Sequence, residues 1–177
     1  NDIRGFITAK GELKGKISDP DISINFNVDY PHYKGIRIRE IWEGNIKNEN
    51  DQFLLNMKTR YSPIPSFLSI EFDSELKLEN VAFSRVFNSN KGNIEVVKEG
   101  NNYIWRADNF PLDELEISLN NNQFDRIKGI INGTGSISSD QSYLDGRLAW
   151  SLGKYRNIKL ANSLFDFILK DNSFYVS

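Results

Sequence analysis

The stretch DISINFNVDY, residues 21–30, decides the fold class of this chain. Apolar side chains occupy every second position in it, and polar side chains occupy the positions between them. The apolar positions are Ile22, Ile24, Phe26, Val28 and Tyr30. Because successive side chains of a β-strand point to opposite faces of a sheet, this alternation predicts a strand with one apolar and one polar face.

The same alternation recurs along the chain, and turn-forming residues separate the segments. It is found in residues 7–17, 36–46, 53–61, 70–78, 94–96, 103–107, 131–137, 144–152 and 158–160. Strands that follow one another at a spacing of roughly ten residues, with short turns, predict antiparallel connections. Residues 165–169 fit either a further strand or a short helix.

One short helix is predicted to begin at Pro111. Proline suits the first turn of a helix, and Asp113 and Glu114 would lie near the positive end of the helix dipole. The residues that would share one face of this helix are Leu112, Leu115 and Leu119. The chain reads as a single β-rich segment over residues 1–177, and its best position for a joint lies near residues 108–122.

Composition limits the classes of function. Of the 177 residues, 39% are hydrophobic and 26% are charged, which excludes a disordered tail. A net charge of -2 gives no electrostatic footprint for nucleic acid, so no nucleic-acid partner is expected. No stretch reaches the ~18 consecutive apolar residues of a membrane-spanning helix. Since alternation is already present at the first residues, we interpret the chain as part of a larger protein, with any targeting or anchoring segment outside it.

The sequence offers little for catalysis. His32 is the only histidine, it lies beside Pro31 in a predicted turn, and cysteine is absent. The acidic pair Asp19 and Asp21 flanks a turn proline, and the second acidic pair, Asp113 and Glu114, suits the start of the predicted helix. We therefore predict that the chain is not an enzyme and that it has no catalytic residues, no metal site and no cofactor.

Two stretches share a pattern of strands interrupted by glycine. The first is AKGELKGKISDPD at residues 9–21, and the second is INGTGSIS at residues 131–138, which continues to LDGRL at residues 144–148. This pattern resembles the repeats of TamB-like proteins, which belong to the AsmA-like superfamily of translocation and assembly module proteins. Residues 105–119, with the sequence NFPL at their centre, resemble connecting segments of the cyanobacterial members.

The resemblance implies a fold and a function. In TamB-like proteins a long, curved, antiparallel-rich sheet forms an open groove, called a β-taco, whose apolar concave face is thought to carry lipids between two membranes. The implied partners are a phospholipid or another acyl-chain lipid and a β-barrel protein of the Omp85 class. The implied location is the periplasm or cell envelope, with the full-length protein anchored in the inner membrane and acting in lipid transport or outer-membrane assembly.

The family has no catalytic residues to transfer, so only the apolar sides of the predicted strands can be mapped onto a groove. The candidate lining residues are Ile7, Ala9, Leu13, Ile17, Ile22, Ile24, Phe26, Val28, Phe53, Leu55, Met57, Ile70, Phe72, Leu76, Leu78, Tyr103, Trp105, Leu148 and Trp150. In a closed β-sandwich the same alternation would form a core instead. Such a fold would suit a carbohydrate-binding or adhesin-type module, which would need exposed tryptophans among Trp42, Trp105 and Trp150.

Overall fold

The computed structural model describes residues 3–16, 19–33, 36–49, 52–87, 90–113, 115–117, 125–140, 142–170 and 173–177. These ranges contain fifteen strands and no helix. The strands are β1 (Ile3–Lys16), β2 (Asp19–Tyr33), β3 (Ile36–Ile38), β4 (Ile41–Glu49), β5 (Gln52–Thr59), β6 (Phe67–Phe72), β7 (Leu78–Phe87), β8 (Asn90–Glu99), β9 (Asn102–Pro111), β10 (Leu115–Ile117), β11 (Asp125–Ser138), β12 (Tyr143–Tyr155), β13 (Ile158–Lys159), β14 (Ser163–Lys170) and β15 (Ser173–Val176).

All fifteen strands belong to one hydrogen-bonded antiparallel sheet. From β4 to β9 each strand pairs with the next one along the chain, as expected for short hairpin turns. Strands β1 and β2 extend the sheet on one side, and β11, β12, β14 and β15 extend it on the other. The prediction of a mainly-β, antiparallel, curved sheet is confirmed, and the described residues do not divide into the two stacked sheets of a sandwich.

Two strands of the sheet are interrupted, one between β3 and β4 and the other between β9 and β10. The pairing of β3 with β10 closes one end of the sheet, called the closed end below. Strands β3 and β4 both pair with β2 along one edge, but on the opposite edge β3 pairs with β10 and β4 pairs with β5. Strands β9 and β10 are related in the same way to β11. Strands β5 to β8 therefore arch out between β4 and β9, and the pairing of β3 with β10 closes a ring of hydrogen bonds beneath the arch.

Charged side chains hold this closure together. The carboxylate of Glu116 is buried between three arginines that come from the β3 region and from β11. Its Oε2 accepts a hydrogen bond of 2.8 Å from Arg37 Nε, and its Oε1 lies 3.4 Å from Arg39 Nη1 and 3.6 Å from Arg126 Nε. A buried carboxylate needs such partners because desolvation alone would disfavour its charge.

The predicted helix at Pro111 is wrong. Pro111 ends strand β9, and Leu115–Ile117 forms strand β10, whose two edges pair with β3 and β11. A helix over this segment would leave unpaired the edges of β3 and β11 that face β10, and it would remove Glu116 from its arginines. Glu114 and Leu119, which were also assigned to the helix, lie outside the described residues.

A small aromatic core fills the arch above the closed end. Trp42 on β4 contacts Phe83 on β7 edge to face, with ring centroids 5.7 Å apart, and Phe83 contacts Phe110 on β9 at 5.0 Å. In a flat sheet, β4 and β7 would be about 14 Å apart, since each of three inter-strand steps is about 4.8 Å. These contacts therefore show how strongly the sheet curls. Trp42 and Phe110 are each only 2% exposed.

Candidate functional site: the apolar face of the sheet

Backbone pairing aligns apolar side chains into rows that cross the whole sheet. Residues that pair directly share one face of a sheet, so the register identifies each row. Row A consists of Ala9, Phe26, Gly44, Met57, Leu68, Phe83, Ile94, Ala107, Gly133, Leu148 and Phe165. It crosses eleven strands without a polar side chain.

A second row lies farther from the closed end, two residues along each strand. Row B consists of Gly11, Ile24, Ile46, Leu55, Ile70, Val81, Val96, Trp105, Gly135, Gly146, Phe167 and Val176. Rows A and B together are called the apolar face below. The intervening positions form a row on the opposite face that is polar except for Ala82 and is called the polar row below. It consists of Lys10, Asn25, Asn45, Asn56, Ser69, Ala82, Glu95, Arg106, Thr134, Arg147 and Asp166.

Most of the apolar face is not a packed core. In the described ranges, Ala107 is the only buried residue of the apolar face. The other buried apolar residues, such as Trp42 and Phe110, lie at the closed end. The accessible surface of the chain is 11964 Å². A compact folded monomer of 20.4 kDa would expose about 8,800 Å². The excess follows from a single curved sheet that leaves much of both faces open.

Glycines on β11 and β12 provide a flat bed for Trp105. The indole Nε1 donates a 3.0 Å hydrogen bond to the carbonyl oxygen of Asp145, and the ring stacks on Phe167 at 5.9 Å. A Cβ added to Gly146 would lie 2.3 Å from Trp105 Cζ2, and one added to Gly135 would lie 2.5 Å from Nε1. The glycines in this part of the alternating pattern are therefore explained by close approach of an aromatic ring.

Trp150 is seated in a similar way nearer the closed end. Its Nε1 donates a 3.0 Å hydrogen bond to the carbonyl oxygen of Lys128. A Cβ on Gly129 would lie 2.4 Å from Nε1, and one on Gly153 would lie 3.1 Å from Cε2. Trp42 is buried, and Trp105 and Trp150 lie against glycines as half-buried parts of the sheet.

Eight of the nineteen predicted lining residues fall into these rows. Row A contains Ala9, Phe26, Met57 and Leu148, and row B contains Ile24, Leu55, Ile70 and Trp105. Phe53, Phe72 and Leu78 pair beyond row B, as do Tyr103 with Ile137 and Leu13 with Ile22. Toward the closed end, Ile7 pairs with Val28, and Trp150 pairs with Ile131.

Two of the predicted lining residues lie in other surroundings, and a third is not described. Val28 is 9% exposed and pairs with Trp42, so it belongs to the core at the closed end. Leu76 lies in the turn between β6 and β7 and is 64% exposed, with a positive φ of 61° that breaks the alternation. Ile17 lies outside the described residues.

Several members of the apolar face were not singled out from the sequence. Leu68 and Phe83 lie in row A, and Val81 lies in row B. Extending the period-two pattern back from Ile70 would have found Leu68. The other two follow a register shift between Glu71 and Phe72, which hides the continuity of the pattern between β6 and β7.

An ion pair lies at the far edge of the apolar face. Lys98 pairs across the strands with Tyr103, and its ammonium group contacts the carboxylate of Glu79. The hydrogen bond that Lys98 donates to the Glu79 carboxylate raises the pKa of Lys98. The hydroxyl of Tyr103 donates a 3.0 Å hydrogen bond to the carbonyl oxygen of Leu78. Polar groups thus border the apolar rows at the end opposite the closed end.

A cleft of about 600 Å³ crosses β1, β2, β4 and β5 and reaches Phe67 on β6. Ala9, Phe26 and Met57, all predicted lining residues, border it, but most of its other lining residues, such as Asn25 and Lys58, lie on the polar face of the sheet. Its volume is in the range of small-molecule sites. The cleft therefore opens mainly on the polar face and not on rows A and B.

The described ranges hold no group of three or more histidine, cysteine, aspartate or glutamate residues that could bind a metal ion. His32 lies on β2, where it pairs with Arg37 of β3 and is half-buried. Within the same ranges, no helix is long and apolar enough to cross a membrane. No family model, curated protein or solved structure matches the chain. The resemblance to TamB-like proteins therefore rests on the glycine and strand pattern alone.

Proposed function

We propose that the chain is a groove-forming segment that shields the acyl chains of a lipid on its apolar face. The observation that carries this proposal is that rows A and B cross the sheet in register while most of their side chains remain half-buried. If these residues formed a closed hydrophobic core, they would be buried. A surface with no apolar ligand would not be expected to expose a continuous apolar patch of this extent.

The energetics of lipid movement support such a surface. Exposing an acyl chain to water costs about 0.8 kcal/mol per methylene, so a sixteen-carbon chain costs on the order of 12 kcal/mol. A continuous apolar face lowers this cost along its whole length. The rows run across the strands, so a chain that follows them would meet apolar side chains from one strand to the next.

The larger setting is also a proposal, and its support is the resemblance to TamB-like proteins. In this setting the chain is part of an envelope-spanning protein that is anchored in the inner membrane and extends through the periplasm. It would act in lipid transfer or as a scaffold for outer-membrane assembly, together with a β-barrel partner of the Omp85 class. Its activity would be non-enzymatic.

Site-specific photo-crosslinking tests the proposal. A photoreactive phenylalanine analogue is placed at Phe26 in row A or at Ile70 in row B, and cells or phospholipid vesicles are irradiated. The adjacent residues Asn25 and Ser69 belong to the polar row and serve as matched controls. The expected result is a phospholipid adduct at Phe26 and Ile70 that is several-fold more abundant than at the control positions.

Equal labelling at all four positions would contradict the proposal, since it would show contact with lipid that does not depend on the face of the sheet. Absence of adducts at Phe26 and Ile70 in a folded protein would contradict it as well. Circular dichroism of each labelled variant confirms that the sheet is intact.

A further inference from the structure

Three lysines lie directly opposite one another on three neighbouring strands. Lys128 on β11 pairs with Lys154 on β12, and Lys154 pairs with Lys159 on β13. Like charges at directly paired positions destabilise a sheet, because the Cβ atoms are only about 5 Å apart. The three ammonium groups of this row therefore repel one another.

The protein neutralises only part of this charge. Lys128 Nζ lies 3.7 Å from Asp113 Oδ1. In the part of the chain that the structure describes, neither Lys154 nor Lys159 has a carboxylate within ion-pair distance. Nearby Asp125 is already engaged, since it accepts hydrogen bonds from Arg156 and from Tyr155. Among the described residues, the lysine row therefore retains two positive charges without a carboxylate partner.

The three lysines line one cleft of about 620 Å³. Leu152 and Leu160 line it as well, and Leu152 is 73% exposed. Gly129 and Gly153 also line the cleft, and both lie against the indole of Trp150. The cleft thus combines a cationic row, the carboxylate of Asp113, exposed aliphatic side chains and two glycines that lie against the indole of Trp150.

We infer that this cleft, called the lysine cleft, binds the anionic headgroup of a lipid through a phosphate ester. Phosphate oxygens accept charge-assisted hydrogen bonds from ammonium groups, and a single phosphate can bridge two of them. Binding would relieve the repulsion between Lys154 and Lys159. This inference rests on the proposed function, because the acyl chain of the same lipid is placed on the apolar face beyond Trp150.

The test compares three probes by isothermal titration calorimetry on the whole chain. Dodecyl phosphate below its micellar concentration carries both the anion and the alkyl chain, inorganic phosphate carries the anion alone, and dodecyl maltoside carries the alkyl chain alone. The site variant is Lys154→Gln with Lys159→Gln. The matched control is Lys47→Gln with Lys170→Gln, which removes the same charge from exposed positions that do not line this cleft.

Dodecyl phosphate is expected to bind the wild-type chain and the control variant alike and to bind the site variant about tenfold more weakly or worse, since the site variant loses charge-assisted hydrogen bonds to the phosphate. Dodecyl maltoside is expected to bind all three proteins equally. Equal loss in the control and site variants would overturn the inference, because it would reduce the effect to net charge. Unchanged affinity in the site variant would overturn it too.

The probes also separate the two proposals. If dodecyl maltoside fails to bind the wild-type chain, the acyl-binding function fails, whatever the lysines do. If dodecyl maltoside binds and dodecyl phosphate shows no dependence on Lys154 and Lys159, only the headgroup site fails. Inorganic phosphate that binds as tightly as dodecyl phosphate would overturn the assignment to a lipid headgroup in favour of a free anion.

Discussion

The closed end and the apolar face are built from the same alternating strands, yet one is a core and the other is open. At the closed end, Trp42, Phe83 and Phe110 meet across the arch because the pairing of β3 with β10 draws β4 and β9 together. Row B lies farther from the pairing of β3 with β10, and most of its apolar side chains remain half-buried. Alternation thus determines which face is apolar, and ring closure determines how much of that face is buried.

Removing one large side chain from each region should give the largest difference in stability between them. Trp42→Ala should lower the free energy of unfolding by about 3–5 kcal/mol, because it leaves a large cavity in the only tightly packed part of the described sheet. Leu55→Ala in row B should cost clearly less, since Leu55 is half-buried and solvent already reaches it. Urea denaturation of both variants measures the difference, and equal losses would contradict the contrast.

The next largest loss of stability is expected from breaking the buried ion pair at the closed end. Arg85 is fully buried, its Nη2 lies 3.1 Å from Glu40 Oε1, and its Nη1 donates a 2.6 Å hydrogen bond to the carbonyl oxygen of Pro111. Arg85→Met should destabilise the chain by about 3 kcal/mol, because it leaves the Glu40 carboxylate without its partner. The double variant with Glu40→Gln should recover much of the loss. A double variant as unstable as the single one would show that the pair is not the cause.

A smaller loss of stability is expected from changing a glycine beneath Trp105 on the open side of the sheet. Gly135→Ala should destabilise the chain by about 1–3 kcal/mol, since the new methyl group would overlap the carbonyl oxygen of Asp145 and the indole of Trp105. Gly100→Asn is the control, because Gly100 lies in a turn with nothing within 4 Å and asparagine tolerates its φ of 63°. Thermal unfolding should show a lower midpoint for the first variant only.

The smallest effect concerns the turn between β11 and β12. Hydrogen bonds from Ser138 and then from Ser142 lower the pKa of the exposed Asp140 carboxyl to about 2. Because this pKa lies below the ordinary value near 4, the bonds contribute to stability above about pH 4, and the contribution is lost as the pH falls toward 2. An NMR titration should place the Asp140 midpoint near 2 in the wild type, and a midpoint near 4 would contradict the turn geometry.

Much of the sheet follows from local alternation, which is why strands such as β2 and β5 match the predicted segments. The segment that begins at Pro111 misled the prediction because its proline and acidic residues carry the signals of a helix start. What decides its structure is pairing with Ile36–Ile38, more than seventy residues earlier, and burial of Glu116 beside Arg37. Such long-range pairing has no local signature, so the closed end was not predictable.

The candidate site was predictable in part for the same reason. Alternation identified Phe26, Leu55 and Ile70 as members of one apolar face, and the structure places them in rows A and B. The lysine cleft depends on the register of three strands and on a shift between Lys128 and Ile130. That shift brings Lys128 opposite Lys154, and nothing in the spacing of the two residues along the chain reveals it.

Quenching of tryptophan fluorescence by brominated phospholipids tests the central contrast most directly. One variant retains only Trp105, which lies in row B, and the other retains only Trp42, which lies in the core of the closed end; phenylalanine replaces the remaining tryptophans. Strong quenching of Trp105 with little quenching of Trp42 is the result expected for an open, lipid-accessible apolar face beside a closed core. Equal quenching of both residues, or none of Trp105, would contradict it.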